Sequence, residues 1–377
     1  MRSLFALSLL ALPAFAAFPN GYSFCKVVTT HSAMVSGSSD LTNYPLALIL
    51  TDTDLKSPAN GGFVNSINGY DIGFYPDCSG FGAALKWELE SYSPQTGAIV
   101  AHVLRPNFSR TADDTIGMYY GGGFTSFQSM ASAVWVGYAG VWHLADGTTL
   151  GLTDSTANAN NGLNSGATAT PGQLDGAANF TRAANQYITV PDSASLQITG
   201  GNLTLEAWVK VASNSGTGTS RILSKLGNSP YTGYELYTDQ ADSKNDVTLQ
   251  FGNGGATNYL FTSSQISLNV WTHIVATLSS GTMAVYFNGV LQPVAVSSGQ
   301  GSTVLLSGTT NLNIGRWPGG NTEWFPGKID EVRISPNARS RDWVLTEYRN
   351  QSAPGTYLSA GPRIGGSSIR HRVSDGD

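Results

Sequence analysis

Charge is scarce in this chain. Asp, Glu, Lys and Arg make up 12% of its 377 residues, about half the roughly 25% of an ordinary globular protein. Positive charge is the scarcer sign, with 20 Lys and Arg against 25 Asp and Glu and a net charge of −5. No basic stripe is available to displace counterions from phosphates, which argues against nucleic acid as a partner. Histidine is sparse and scattered, at positions 31, 102, 143, 273 and 371. The sequence has no Gly-x-Ser-x-Gly elbow, no His-Glu-x-x-His helix, no phosphate-cradling glycine loop and no cysteine pair at zinc spacing. The main catalytic signatures are thus absent, and the expectation is a protein that is not an enzyme.

Long apolar runs are missing as well. The first, Leu4 to Phe15, is interrupted by Pro13 and is too short for a comfortable membrane span. With Arg2 before it and Ala14-Phe15-Ala16 at its end, it reads as a signal peptide over residues 1–16. A secreted or cell-surface location follows, with no transmembrane segment expected in the mature chain. Only two cysteines occur, Cys25 and Cys78. An even count in an exported protein predicts one disulfide. Closing a loop of that length is worth about 4 kcal/mol in the chain-entropy picture.

Glycine is abundant, at 44 residues, alongside many Ser, Thr and Asn. That composition suits short strands joined by polar turns. In residues 18–130, Leu85, Trp87 and Leu89 alternate with Lys86, Glu88 and Glu90, the period-2 signature of a half-buried strand. Ile99, Ala101 and Val103 repeat the pattern, as do Ile116, Met118 and Tyr120, while Tyr44 to Leu50 is continuously apolar. The spacing predicts a β-sandwich. Gly121-Gly122-Gly123 and the Ser-rich stretch after it lead to a linker at 131–140, and a second unit runs over 141–359. There, Leu203, Leu205, Ala207, Val209 and Val211 form one strand face. Asn288-Gly289 between Met283–Phe287 and Val290–Val296 predicts a type I′ hairpin. Asp342 to Arg349 suggests a short helical turn, and the Gly/Ser-rich end, 360–377, reads as disordered. The fold class predicted is all-β, two antiparallel β-sandwiches in tandem.

Two resemblances sharpen this. Tyr44-Pro45-Leu46, Gly69-Tyr70-Asp71-Ile72-Gly73-Phe74, Leu85 to Glu90 and Thr115 to Gly121 resemble the DUF2341 family of bacterial and archaeal surface proteins, although Gly73 and Gly122 depart from its pattern. Gly140-Val141-Trp142-His143-Leu144, Tyr187 to Pro191, Asn202 to Val209, Trp271 to Ala276, Val285 to Gly289, Ile314-Gly315-Arg316 and Gly327 to Ile334 resemble the laminin-G-like, concanavalin-A-like jelly roll. The second resemblance implies a jelly roll for the second sandwich and a binding, adhesin or glycosidase-accessory role.

Candidate sites follow from loop chemistry. Tyr231 and Tyr234 in Asn228 to Tyr234, and Trp317 and Trp324 bracketing Pro318 to Glu323, offer flat rings beside amide and carboxylate hydrogen-bonders. A sugar's apolar face and hydroxyl rim require that combination. For each ring taken singly, packing over the sandwich ends is the alternative. The oxygen-rich loop from Asp154 to Gly162 could supply hard ligands to Ca²⁺. The jelly-roll resemblance implies that Asp330 can hold a structural Ca²⁺. The alternative makes Asp154 a turn former and Asp330 a strand-end hydrogen bonder. Asp330 and Glu331, as neighbours on a strand, should point to opposite faces and cannot flank one glycosidic bond. The function expected is a non-catalytic carbohydrate-binding or adhesion protein whose partners are glycans or cell-surface polymers. The alternatives are a structural cell-envelope protein without a glycan ligand and, at lower weight, a glycoside hydrolase.

Overall fold

The computed structural model describes residues 17–128, 131–145, 149–214, 218–240 and 244–365. The proposed signal peptide, 1–16, lies outside the described residues, as does 366–377 of the proposed disordered tail.

The first sandwich begins with β1 (Phe24–Thr30), β2 (Leu41–Thr51), β3 (Ile72–Tyr75), β4 (Trp87–Tyr92), β5 (Ala98–Phe108) and β6 (Asp114–Tyr120). One of its sheets pairs β2-β5-β4, and the other places β1 and β3 on either side of β6. The alternating residues read from the sequence face inward here. Val28, Leu46, Leu48, Trp87, Ala101, Val103, Ile116 and Met118 share one core. Cys25 and Cys78 form the expected disulfide, with Cα atoms 5.8 Å apart.

The 131–140 stretch is packed rather than free. A helical turn, α1 (Ala131–Val134), places Val134, Trp135 and Tyr138 against Leu104 of β5 and Val141. The chain then enters the second sandwich through β7 (Gly140–Trp142), β8 (Leu163–Ser165), β9 (Thr168–Pro171), β10 (Gly176–Phe180) and β11 (Tyr187–Val190). Then come β12 (Asn202–Val211), β13 (Thr219–Ser224), β14 (Gly227–Asn228), β15 (Tyr231–Thr232), β16 (Tyr234–Asp239), β17 (Asp246–Gly252), β18 (Thr257–Gln265), β19 (Thr272–Ser279) and β20 (Thr282–Phe287). The last strands are β21 (Val290–Leu291), β22 (Val294–Ser298), β23 (Leu312–Ile314) and β24 (Gly327–Ser335). One antiparallel sheet runs β21-β20-β19-β12-β24-β10-β9, with β7 also on β24. The facing sheet runs β22-β18-β17-β16-β13-β23-β11-β8. The Asn288-Gly289 hairpin forms with both residues at positive φ, but its second arm ends at Leu291. The chain passes Pro293 and joins the opposite sheet as β22.

Beyond β24, α2 (Arg341–Ser352) is capped by Ser340, whose hydroxyl accepts from Trp343 N at 3.1 Å. This helix is three turns long, extending the short helical stretch expected over Asp342 to Arg349 at both ends, and it lies between the sandwiches. Trp343 enters the first core, its ring 5.1 Å from Tyr44. Val344 packs with Val275 and Tyr286 of the second sandwich. After α3 (Pro354–Tyr357), β25 (Leu358–Ala360) and β26 (Ile364–Gly365) both pair with β1. The second unit therefore does not run to 359, and the tail is ordered as far as 365, because β1 offers an open edge that the chain's end fills.

Candidate functional site

The four predicted sugar-binding rings separate on folding. Tyr234 starts β16, is fully buried in the core, and donates its hydroxyl to Leu196 O at 3.0 Å. It cannot stack on a ligand, and the loop reading of this residue is corrected. Trp324 is also buried, 9% exposed, with its ring against Tyr187 and the Arg316 guanidinium over it at 5.1 Å. Tyr231 is 40% exposed on the short β14–β15 ribbon. Trp317 is half-buried and rests on the turn after it, where a Cβ on Gly319 would come within 2.4 Å of the indole. Only a glycine lets the backbone lie this close to the ring.

Sequence neighbours of these two rings help wall a cleft of about 490 Å³, formed by 226–230, Thr232, 307–310, Pro318 and Gly319. One wall is held by Lys225, whose buried ammonium donates to Gly308 O (3.2 Å), Thr310 O (2.5 Å) and the Asp192 carboxylate. The cleft surface is glycine backbone, hydroxyls and the Asn228 amide, with Leu226, Pro230 and Pro318 as its apolar part.

The two predicted calcium ligands serve different loops. Asp154 is saturated. Its Oδ1 accepts from Val141 N (3.0 Å) and Thr156 N (2.9 Å), and its Oδ2 from Thr156 Oγ1 (2.8 Å) and Asn160 N (2.8 Å). It organises the loop in the turn-forming manner and has no lone pair aimed at a cation, which corrects the calcium assignment there. Asp330 is buried, and its Oδ2 accepts from Gln173 N (2.7 Å) and Leu174 N (3.3 Å). That loop is pressed tight: a Cβ on Gly172 would lie 1.9 Å from Gly176 O and 2.6 Å from Asp330 Oδ2. Asp330 Oδ1 is buried with no hydrogen-bond partner among the described residues, so one oxygen remains open to a cation.

The densest chemistry lies in the seam between the sandwiches, at residues that no motif in the sequence marks as a site. Glu331 adopts a left-handed backbone, φ 52°, and bulges β24 opposite β12. The bulge breaks the alternation, so Asp330, Glu331 and Arg333 all face the first sandwich while Ile329, Val332 and Ile334 fill the core. The expectation that Asp330 and Glu331 point apart fails for this reason. From the first sandwich, Glu88 and Glu90 on β4 and His102 on β5 meet them. His143, just past β7, donates from Nδ1 to Glu331 Oε1 (2.7 Å) and from Nε2 to Glu88 Oε2 (3.3 Å). Glu90 Oε2 lies 2.6 Å from His102 Nε2 and 3.4 Å from His143 Nδ1. The two imidazoles stack at 4.8 Å. Arg333 donates to Glu331 and to Glu347 of α2, and Trp135 and Ser155 donate to Glu88.

Burial works against every charge here, and the pairing decides which survive. Burial would lower His143, but Glu331 and Glu88 outweigh it and push it up to about 10. Burial would raise Glu331, but His143 and Arg333 hold it below the usual carboxylate range. Glu90 pairs most closely with His102, whose imidazole is pushed down to about 3 by burial, and reaches His143 only at 3.4 Å. Burial, then Glu331 and Asp175, push Glu90 well up. A cavity of about 480 Å³ opens on Glu88, Glu90, His143 and the Asp154–Thr156 loop.

The second sandwich is an antiparallel jelly roll of the concanavalin-A-like, laminin-G-like kind, packed against the first β-sandwich. Residues 181–345 match the family described as the concanavalin A-like lectin/glucanases superfamily. The match runs from the end of β10 through the rest of the second sandwich into the first turn of α2. No curated protein matches the chain. Solved structures with a similar chain path include the binding domain of Paraclostridial Mosquitocidal Protein 1 (15% identity, 58% of this chain, 53% of that one, TM-score 0.46). Another is domain 4 of an extracellular arabinanase from Geobacillus stearothermophilus in complex with arabinotriose (20%, 55% and 96%, 0.43). A third is the botulinum neurotoxin serotype D ligand-binding domain in complex with N-acetylneuraminic acid (15%, 57% and 51%, 0.42). This chain spans about half the length of the first and third of these.

Proposed function

We propose that the chain is a secreted or cell-surface carbohydrate-binding or adhesion protein that does not turn its ligand over. The observation that carries the reading is the hydroxyl- and amide-lined cleft between 226–232 and 307–319, with Trp317 and Tyr231 beside the residues that wall it. Sugar rings bind where an aromatic face adjoins convergent polar groups. Trp324 acts one layer below, fixing Arg316 and Tyr187. Export is supported by the disulfide, which forms and persists in oxidising compartments. The DUF2341 resemblance of residues 18–130 adds a surface setting to the same proposal.

A glycan array run with and without EDTA tests it. Trp317→Ala should weaken binding at least about tenfold, as the loss of a buried aromatic contact does, while the melting temperature stays near that of wild type. Tyr234→Ala should do the reverse, costing stability through a core cavity. Unchanged glycan binding in Trp317→Ala, or no binding on any array, would point instead to a structural cell-envelope role. Calcium enters the proposal at Asp330 alone, through its open Oδ1 with Asp175 and loop carbonyls nearby. A melting temperature raised by calcium in wild type and unmoved in Asp330→Asn would support that site.

A further inference from the structure

We propose that Glu90, His102, His143 and Glu331 form a site for a divalent transition-metal ion of the zinc class, which clasps the two sandwiches together. One ligand atom from each of the four lies within 4.8 Å of all the others. A tetrahedral zinc site with bonds of about 2.0–2.2 Å places its ligand atoms roughly 3.3–3.6 Å apart. The close pairs, His102–Glu90 at 2.6 Å and His143–Glu331 at 2.7 Å, need open by only about an ångström to reach it. Two imidazole nitrogens with two carboxylate oxygens are a borderline donor set. It suits zinc and its neighbours and leaves calcium and magnesium short of the oxygens they require.

Three further observations point to a cation. The first is outer support already in place. With Nδ1 of His143 on the metal, Nε2 donates to Glu88, and Arg333 holds the second oxygen of Glu331. Ligand histidines and carboxylates are held in this way in metal sites. The second is unmet valence. Glu90 Oε1 is buried without a hydrogen-bond donor among the described residues, the Glu90 carboxyl having only the Asp175 carboxyl beside its histidine partners, and the Glu90 side chain is 1% exposed. The third is charge. Glu88, Glu90 and Glu331 all lie within 3.4 Å of the one His143 imidazole, more carboxyls than it can pair, and a divalent ion takes up the surplus. The 480 Å³ cavity reaches Glu90 and His143 and supplies an entry path. Two ligands come from each sandwich, so only the docked chain can present all four.

The full-length chain, stripped with chelator and desalted, would be titrated with zinc chloride in calcium-containing buffer and followed by calorimetry and by melting. We expect one zinc per chain, a higher melting temperature, and, with cobalt(II), the intense visible bands of a four-coordinate nitrogen/oxygen site. His102→Gln and the near-isosteric Glu90→Gln should each weaken zinc binding by at least the roughly 10–100-fold that loss of an outer partner costs. His31→Gln, at the exposed His31–Asp113 pair, should leave it unchanged. Glu90→Gln keeps the side-chain volume, so it reports on ligation even where His102→Gln perturbs folding. Absence of stoichiometric zinc, a six-coordinate cobalt spectrum, or zinc affinity that survives both seam variants would each overturn the proposal.

Discussion

Asp154 and His273 are two buried titratable side chains whose roles follow from what surrounds them. Asp154→Ala would strip three backbone N–H groups, those of Val141, Thr156 and Asn160, of their acceptor. Each unsatisfied buried donor costs about 1–3 kcal/mol, so the variant should lose at least about 3 kcal/mol in chemical denaturation. The loss should be the same with and without calcium, since the carboxylate has no oxygen to spare for a cation. His273 is buried beside Glu206 (3.0 Å) and between the Trp208 and Tyr348 rings. Burial pushes its imidazole down to about 4. Between pH 6.5 and 4 the unfolded chain therefore binds the proton that the folded chain refuses. His273 contributes full stability above pH 6.5 and loses it as pH falls through 4, a span of at most about 3 kcal/mol. Glu347, which burial and then Glu206 push up to about 7, acts in the opposite sense, contributing below pH 4.5 and losing that contribution as pH rises through 7. The informative quantity is the difference between wild type and His273→Asn. Its dependence on pH should rise from 4 to 6.5 and be flat above, and a pH-independent difference would remove His273 from the acid limb.

At the scale of elements, periodicity was enough to place β4, β5, β6 and β12, because each buries one alternating face in a sandwich core. It failed where a strand has no solvent face. Glu88 and Glu90 lie on the polar side of β4, which reads as an outer surface until a second sandwich covers it. The signal present in the sequence was on the neighbouring strand. Ile99 to Leu104 is apolar on both faces except for His102, and all six of these residues are buried. A strand buried on both faces needs a layer beyond its own sandwich, and His102 is the one side chain there that can meet a charge. The bulge at Glu331 was not legible at all, since a left-handed non-glycine residue leaves no mark on composition or spacing. Only a short part of helix α2 is legible in the sequence, because its mixed face answers to two different cores. Its Asn350 shows what it does there. The side-chain amide accepts from Ala47 N and donates to Ala47 O, both at 2.8 Å, and so closes the outer edge of β2 as another strand would. Asn350→Ala should cost about 1–3 kcal/mol and should accelerate hydrogen exchange at the Ala47 amide more than at Ala101 in β5. Equal protection at both positions in the variant would mean that the helix does not seal this edge.

For the whole molecule, the order of the chain and the order of the folded parts differ, and that difference bears on cooperativity. The first sandwich is not complete at residue 130. Trp343, Tyr357 and Leu358 belong to its core, and β25 and β26 occupy the edge of its β1 strand. These pieces reach it only after the chain has built the second sandwich. The seam adds a continuous run of ion pairs from Glu88 through His143, Glu331 and Arg333 to Glu347. Opening it would leave those charges without partners, and breaking one buried pair costs about 3–5 kcal/mol. Neither sandwich can therefore unfold alone without exposing core residues and seam charges of the other. Scanning calorimetry of the full chain should show one transition, with calorimetric and van't Hoff enthalpies equal. Reducing the Cys25–Cys78 bond, worth about 4 kcal/mol in the unfolded-state entropy of its loop, should lower that single transition for both sandwiches at once, although the bridge lies wholly in the first. Trp135 and Trp208, at different places in the seam, should then report the same midpoint by fluorescence. Two resolved transitions, with only the lower one moved by reductant, would show that the seam joins two independent domains and that the returning strands do not couple them.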